Sequence, residues 1–546
     1  MDPVPADTPF APTRYERDPT FRYDIGLLAK DCAKGINLER IAPGRGLRLA
    51  LVGLGVCLCA TLGHASDPPS RGRALWVRLT SPVSSYSAHP GDPVHAILTE
   101  EVQYDGEVVL PVGTRVDGVV RSVHKVGWGI RHETAALRLE FNQAVTPQGG
   151  SVSISTTVAE VENAREEVKR GVIDGVCSSD TPQGRITSRY KYLPKLNPYP
   201  DVGLIAFKVA FPIFPEPEIY LPSGTDLRLK LETDLSALTP LGPPAANPVD
   251  VAEQVQLEHL AQSIPQHTTT SSMVDADLVN LAFLGSREQV ESAFRHAGWN
   301  SSDAYSKRAF LNNFYAFLND SGYAQAPMRP LLLDGKLPDM NFQKSLNSYA
   351  KRDHLRIWQW PGSEEGEPVW LSSSTHDTGA TLSVKYHRFL HHIYPYIDEE
   401  RSKVIRDLSL AGCVKSVSFV PRPSVPGFSQ NAIGDLVRTD GELAVLQLQN
   451  CQPTIPGMVT TVSDPRFKPG NKAFRYIRRE ILTLRSDIWR ANIIYGAYQL
   501  GSMAVEAFRH HPVVVLHCLP LLVKFQRRSL KQGVIQRAES LVIGWA

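Results

Sequence analysis

Residues 280–299 read NLAFLGSREQVESAFRHAGW. Leu281 to Leu284 is a short apolar run, the pattern of a buried strand. Ser286 and Gln289 stand three apart ahead of a helix, a spacing at which side chains and free backbone amides exchange hydrogen bonds. Val290, Ala293, Phe294 and Ala297 then recur at helical spacing, and Gly298 supplies the stop. Downstream, HLRIWQW (354–360) reads as a strand, with Val369 to Ser374 and Thr381 to His387 as its neighbours. Asp398 is placed to cap a helix running to Ala411, with Gly412 at its end. Leu436-Val437 and Leu443 to Leu448 flank Asp440-Gly441, which predicts a hairpin. Strands and helices mixed in this way predict an α+β domain over 274–460.

Upstream, the pattern changes to period two. Leu137-Arg138-Leu139-Glu140-Phe141 and Leu227-Arg228-Leu229-Lys230-Leu231 alternate strictly. Val152, Ile154 and Val158 continue the alternation. Turns separate the runs, and a short motif recurs: Leu110-Pro111-Val112-Gly113-Thr114 and Leu221-Pro222-Ser223-Gly224-Thr225. This predicts an antiparallel β-barrel or sandwich over 74–236. An insertion at about 163–216 carries Arg185, Arg189, Lys191 and Lys195, then the apolar run from Gly203 to Phe214. It reads either as a membrane-dipping or partner-binding loop, or as a cover for the barrel. Residues 237–273 read as a linker with a short amphipathic helix, Val249 to Ile264. Residues 461–546 read as helical. There Lys524, Arg527, Arg528 and Lys531 suit anionic lipid headgroups or a plain solvated face.

The stretch 45–65 decides the compartment. Arg45 and Arg48 precede the uncharged run Leu49 to Leu62, and Gly63-His64-Ala65 follows as a cleavage-type ending. It reads as a secretory signal peptide or a single membrane anchor behind a polar extension, 1–44. Its length favours cleavage, since a spanning helix needs roughly 17–25 residues. Either way the bulk of the chain is expected outside the cytoplasm, in the periplasm or cell envelope. With 546 residues, two or three domains are expected. A net charge of +2 gives no reason to expect nucleic acid as a partner. Seven cysteines are too few for a disulfide scaffold. Cys413 and Cys451 flank strands of one sheet and can approach within disulfide reach, or stay as free buried thiols.

Five motifs carry a resemblance. NLAFLGSREQVESAFRHAGW, LPDMNFQKS, HLRIWQW, PVWLSSSTHDTG and IDEERSKVIRDLSLAGCV, in this order over about 275–425, resemble the LssY-like C-terminal domain. That family has no established activity to carry over. GDPVHAILTEEV, VVLPVGTRVDGVV and LRLEFNQAVTPQGGSVSI, with the closing PEIYLPSGTDLRLKLETDL, are similar to the barrel of TrbI-like type IV secretion core subunits. That resemblance implies an envelope barrel that assembles into rings.

There is no GxSxG elbow, HExxH, P-loop or CxxC, so no catalytic signature and no cofactor motif is present. The adjacent pairs His391-His392 and His510-His511 do not share a helix face, so no metal site is expected from them. A ligand-binding surface is predicted instead. If Leu355, Ile357 and Gln359 point one way along their strand, His354, Arg356, Trp358 and Trp360 point the other. His376 and Asp377 follow in the next loop, His392 lies just ahead of the helix, and Asp398 and Arg401 lie in its first turn. Such a set suits an anionic or sugar-like ligand. The alternative is structural, with Trp358 and Trp360 packed and Arg356 paired to a carboxylate. Three functions stay open: a binding or assembly protein of the envelope that contacts other envelope proteins, a hydrolase or lipid-processing enzyme, and a homo-oligomeric ring subunit.

Overall fold

The alternating runs become a barrel-like sheet because each strand hides one row of side chains. In the computed structural model, Leu137, Leu139 and Phe141 are buried while Arg138 faces water. Leu227, Leu229 and Leu231 do the same on the closing strand. The structure describes residues 74–127, 133–177, 217–233, 239–242, 251–304, 306–364, 366–383, 388–452 and parts of 471–485. All of these lie in one compact unit, Pro68–Gln499. The signal-like stretch, the basic insertion and the basic cluster after residue 523 lie outside the described residues. Among the described residues no helix is long and apolar enough to cross a membrane.

The barrel strands are Ala74–Leu79 (β1), Pro93–Leu98 (β2), Arg115–His124 (β3), Ala136–Val145 (β4), Ser151–Ser153 (β5), Thr156–Val161 (β6), Glu167–Lys169 (β7), Val172–Asp174 (β8) and Asp226–Leu231 (β9). They pair antiparallel in the order β7-β8-β4-β3-β2-β1-β9-β6, with β5 on the side of β4. The two ends of this path, β6 and β7, lie close to each other, so the sheet nearly closes. The repeated motif has one geometry in both copies. Gly113 (φ 81°) and Gly224 (φ 90°) take the left-handed position, and Thr114 and Thr225 each bond back to the proline carbonyl, Oγ1 to O at 2.7 Å. Glycine is needed there because a type II turn requires positive φ at its third residue. Part of 471–485 is helical and lies against this domain. Leu482 joins the barrel core, and Arg478 donates to Glu218 Oε1 at 2.6 Å.

The second sheet uses Leu281–Leu284 (β10), Asn300–Ser301 (β11), Met340–Lys344 (β12), Arg352–Glu364 (β13), Glu367–Ser383 (β14), Arg388–Ile393 (β15), Val414–Pro421 (β16) and Glu442–Leu448 (β17). Its order is β11-β12-β13-β14-β10-β17-β16, with β15 beside β14, and only β10 with β17 is parallel. Four helices serve it: Val251–Ser263 (α1), Arg287–His296 (α2), Lys307–Asn319 (α3) and Ile397–Leu410 (α4). α2 starts at the expected capping box of Ser286 and Gln289 and buries Val290, Ala293 and Phe294. α2 and α4 cover one face of the sheet, with Phe294, Val404 and Leu408 against Phe283, Ile357 and Trp370. α1 covers the other, with Leu257, Leu260 and Ile264 against Trp358, Leu371 and Val445. The helix expected inside a linker is therefore part of this core. Burial on both faces explains why β10 is apolar at every position.

Three local expectations are corrected. Leu436–Arg438 pairs with Phe428–Gln430 and makes no hairpin with β17, whose partners are β10 and β16. Thr381 to Ser383 continues β14 and is not a separate neighbour. Asp398 does not cap α4. The cap position is Tyr396, without a side-chain bond, and Asp398 accepts instead from Thr439 Oγ1 and the Asp440 amide, both at 2.8 Å.

Candidate functional site

The pair β13 and β14 sets out two rows of polar side chains on opposite faces. The register opposes Arg352 to Asp377, His354 to Thr375 and Arg356 to Ser373 on one face. Asp353 meets His376 and Leu355 meets Ser374 on the other.

The first face holds four of the sequence-predicted residues, His354, Arg356, Trp358 and Asp377. All are buried, at 5%, 5%, 2% and 1% exposure. Arg356 donates to Asp277 Oδ2 at 3.3 Å and to the Arg329 carbonyl at 3.1 Å. Arg352 donates to Asp377 Oδ2 at 2.9 Å. The Trp358 indole N–H donates to the Lys336 carbonyl, and its ring packs in the α1-side core. Burial drives His354 down to about 3 and His391 down to about 4, so both rings are neutral at pH 7. Burial alone would raise Asp377. His354, His391 and Arg352 more than offset that and hold it at about 2.

The other predicted residues lie elsewhere. His376 is on the opposite face. His392 pairs with Asp435 at 2.8 Å near the sheet edge. Arg401 forks onto Asp440, 2.8 and 2.6 Å, in the first half of α4. The structure therefore does not gather the eight residues into one site. Cys413 and Cys451 are joined in a disulfide with Cα atoms 4.0 Å apart.

The second face meets α4 and the barrel. α4 carries Glu400, Lys403 and Asp407 at i, i+3 and i+7, which places them on one side of the helix. Asp407 is fully buried and accepts from Arg78 (2.5 Å), Lys344 (2.9 Å), Lys403 (3.1 Å) and the Trp299 indole N–H (2.9 Å). Arg78 of β1 also forks onto Asp226 of β9, at 2.6 and 2.9 Å. Lys403 bridges Asp226, Asp407 and Glu162. Burial works against ionising Asp407. Lys344, Lys403 and Arg78 overcome it and hold the carboxyl far below its usual range. The same cluster continues into Asp353, whose carboxylate accepts from Asn163 Nδ2 at 2.7 Å and meets His376 Nδ1 at 2.6 Å. Burial opposes protonation of His376, but Asp353 outweighs it and raises the imidazole.

Glu400 completes this group. It is 4% exposed, and its Oε1 has no hydrogen-bond partner. Burial, then Asp353 and Glu162, push its carboxyl well above the ordinary range. Burial likewise moves Glu162 up to about 7. Asp353, His376 and Glu400 offer three ligand atoms within 4.8 Å of one another. Sequence reading found only His376 among these residues. The signal it passed over is the set of charged residues in IDEERSKVIRDLSL at positions that the helical spacing assigns to the buried side.

Comparison with known proteins fits the second sheet and its helices. Residues 261–443 match the family model described as LssY C-terminus, a span that begins within α1 and excludes the barrel. No curated protein matches the chain. Residues 261–443 form an LssY-like C-terminal domain, joined to the barrel-like sheet through the buried charges of α4.

Proposed function

We propose that the protein is exported and serves in the bacterial cell envelope as a binding or assembly component. The observation that carries this is the lock between its two β-rich parts. Arg78 and Asp226 of the barrel and Lys403 and Asp407 of the LssY-like domain share one buried charge network. A scaffold needs such a rigid joint. The compartment is supported by the signal-like stretch at 45–65 and by the disulfide, since oxidised pairs persist outside the cytoplasm.

A protein partner fits better than a small anion bound on the Arg356 face, because Arg352, Arg356 and Arg401 are buried and bonded internally. The hydrolase reading would use His376, oriented by Asp353, as a general base. Among the described residues no hydroxyl or thiol hydrogen-bonds that imidazole, which weighs against it. The test is fractionation of cells that make the full chain, with thiols blocked before lysis. Envelope location with linked Cys413 and Cys451 peptides is expected. A cytoplasmic protein with both thiols free would reject the proposal. Turnover of a generic phosphatase, esterase or glycosidase substrate that disappears in His376→Ala would establish the enzyme instead. Light scattering decides between a ring subunit and a monomeric component.

A further inference from the structure

We propose that Asp353, His376 and Glu400 form a binding site for a divalent transition-metal ion. Three observations meet there. The three side chains come from β13, β14 and α4 and present one ligand atom each within 4.8 Å of one another. Glu400 Oε1 is buried without a hydrogen-bond donor, no ion pair to Glu400 is formed among the described residues, and its carboxyl lies against the Asp353 carboxylate, a contact that needs a proton or a cation between the two. Unpaired buried carboxylates are costly, and a bound cation is one of the few remedies.

The third observation is charge. Glu162, Asp226, Asp353, Glu400 and Asp407 are five carboxylates in one buried network, against the three permanent cations Arg78, Lys344 and Lys403. Carboxylates still outnumber the permanent cations when Arg406, which acts on Glu162, is counted, and a bound cation would offset the excess. His376 keeps part of its surface open, with 19% of its side chain exposed, which gives the ion a way in. Asn163 Nδ2 donates to Asp353 Oδ2 at 2.7 Å and to the Lys344 carbonyl at 3.4 Å, which fixes that carboxylate beside the site. One imidazole among oxygen donors suits Zn2+ or a neighbouring first-row ion over Ca2+ and Mg2+, which take oxygen ligands. The ion would tie the strand pair to α4.

The proposal stands apart from the envelope reading, since a cytoplasmic location would leave the site intact. The experiment uses the full chain, stripped with a chelator, and titrates Zn2+ in competition with a chromophoric chelator. Glu400→Gln keeps the shape of the side chain and removes its charge, so it decides. One tight equivalent is expected in the wild type, weakened at least about tenfold in Glu400→Gln, with the metal-free variant melting within a few degrees of the wild type. His376→Ala should weaken binding similarly, and Co2+ in the wild type should show d–d absorption that Glu400→Gln alters. No saturable equivalent in the wild type, or unchanged affinity in Glu400→Gln, overturns the site.

Discussion

The two faces of the β13–β14 pair are equally rich in charge, yet they handle it differently. On the α1 side every Arg has a nearby carboxylate: Arg352 has Asp377 and Arg356 has Asp277. The charges there are matched locally, and Trp358 and Leu371 pack beside them. On the α4 side, carboxylates outnumber permanent cations, and bonds reach from the LssY-like domain into the barrel. A matched face holds strands in register. An unmatched one keeps binding capacity in reserve.

Variants can break this comparison, and the largest effect belongs to the α4 side. Asp407→Ala leaves Arg78, Lys344, Lys403 and the Trp299 indole without their common acceptor. It should cost roughly 3–5 kcal/mol in denaturant unfolding. A loss under about 1 kcal/mol would mean that the network is loosely solvated.

On the α1 side, burial holds His391 near 4 while an unfolded histidine titrates near 6.5. Between those values the unfolded chain binds more protons, so stability falls as pH drops. The contribution is complete above pH 6.5 and is lost toward pH 4, up to about 3 kcal/mol. His391→Asn should flatten the dependence of the unfolding midpoint on pH across this window. An unchanged slope would place the acid sensitivity elsewhere.

A smaller effect separates pairing from packing. Arg356→Met should cost about 2 kcal/mol, less than breaking a fully buried pair because Arg329 still acts on Asp277, and adding Asp277→Asn should restore all but about 1 kcal/mol. If the double variant is worse than the single one, the Arg356 face does more than fill space. The smallest effect is Ser286→Ala, which removes the α2 cap and should lower stability by about 1 kcal/mol in thermal melts.

What could be read in the sequence follows from the range of the forces. Alternation in Leu137 to Phe141, the paired Pro-x-Gly turns and the Ser286 capping box are local, and the structure carries all three. The opposed rows of β13 were legible because side chains alternate across a strand. Pairings across long gaps were not. Leu436–Arg438 contacts Phe428–Gln430 although the predicted hairpin around Asp440-Gly441 would be no longer, because β17 is claimed by β10, which comes some 160 residues earlier. Of the α4-side site only His376 was visible, for the same reason. Arg356 and Trp358 stood out by type, but nothing near His376 in the chain announces Glu400 or Asn163 as its neighbours.

The joint at α4 also changes what a cut would do. Residues 234–250 connect the barrel to the LssY-like domain, and they are the only covalent route from β9 to α1. Yet Lys403 and Asp407 grip Arg78 and Asp226 on the far side of that connection. A protease that nicks it should therefore yield two fragments on a denaturing gel and a single species on a native column.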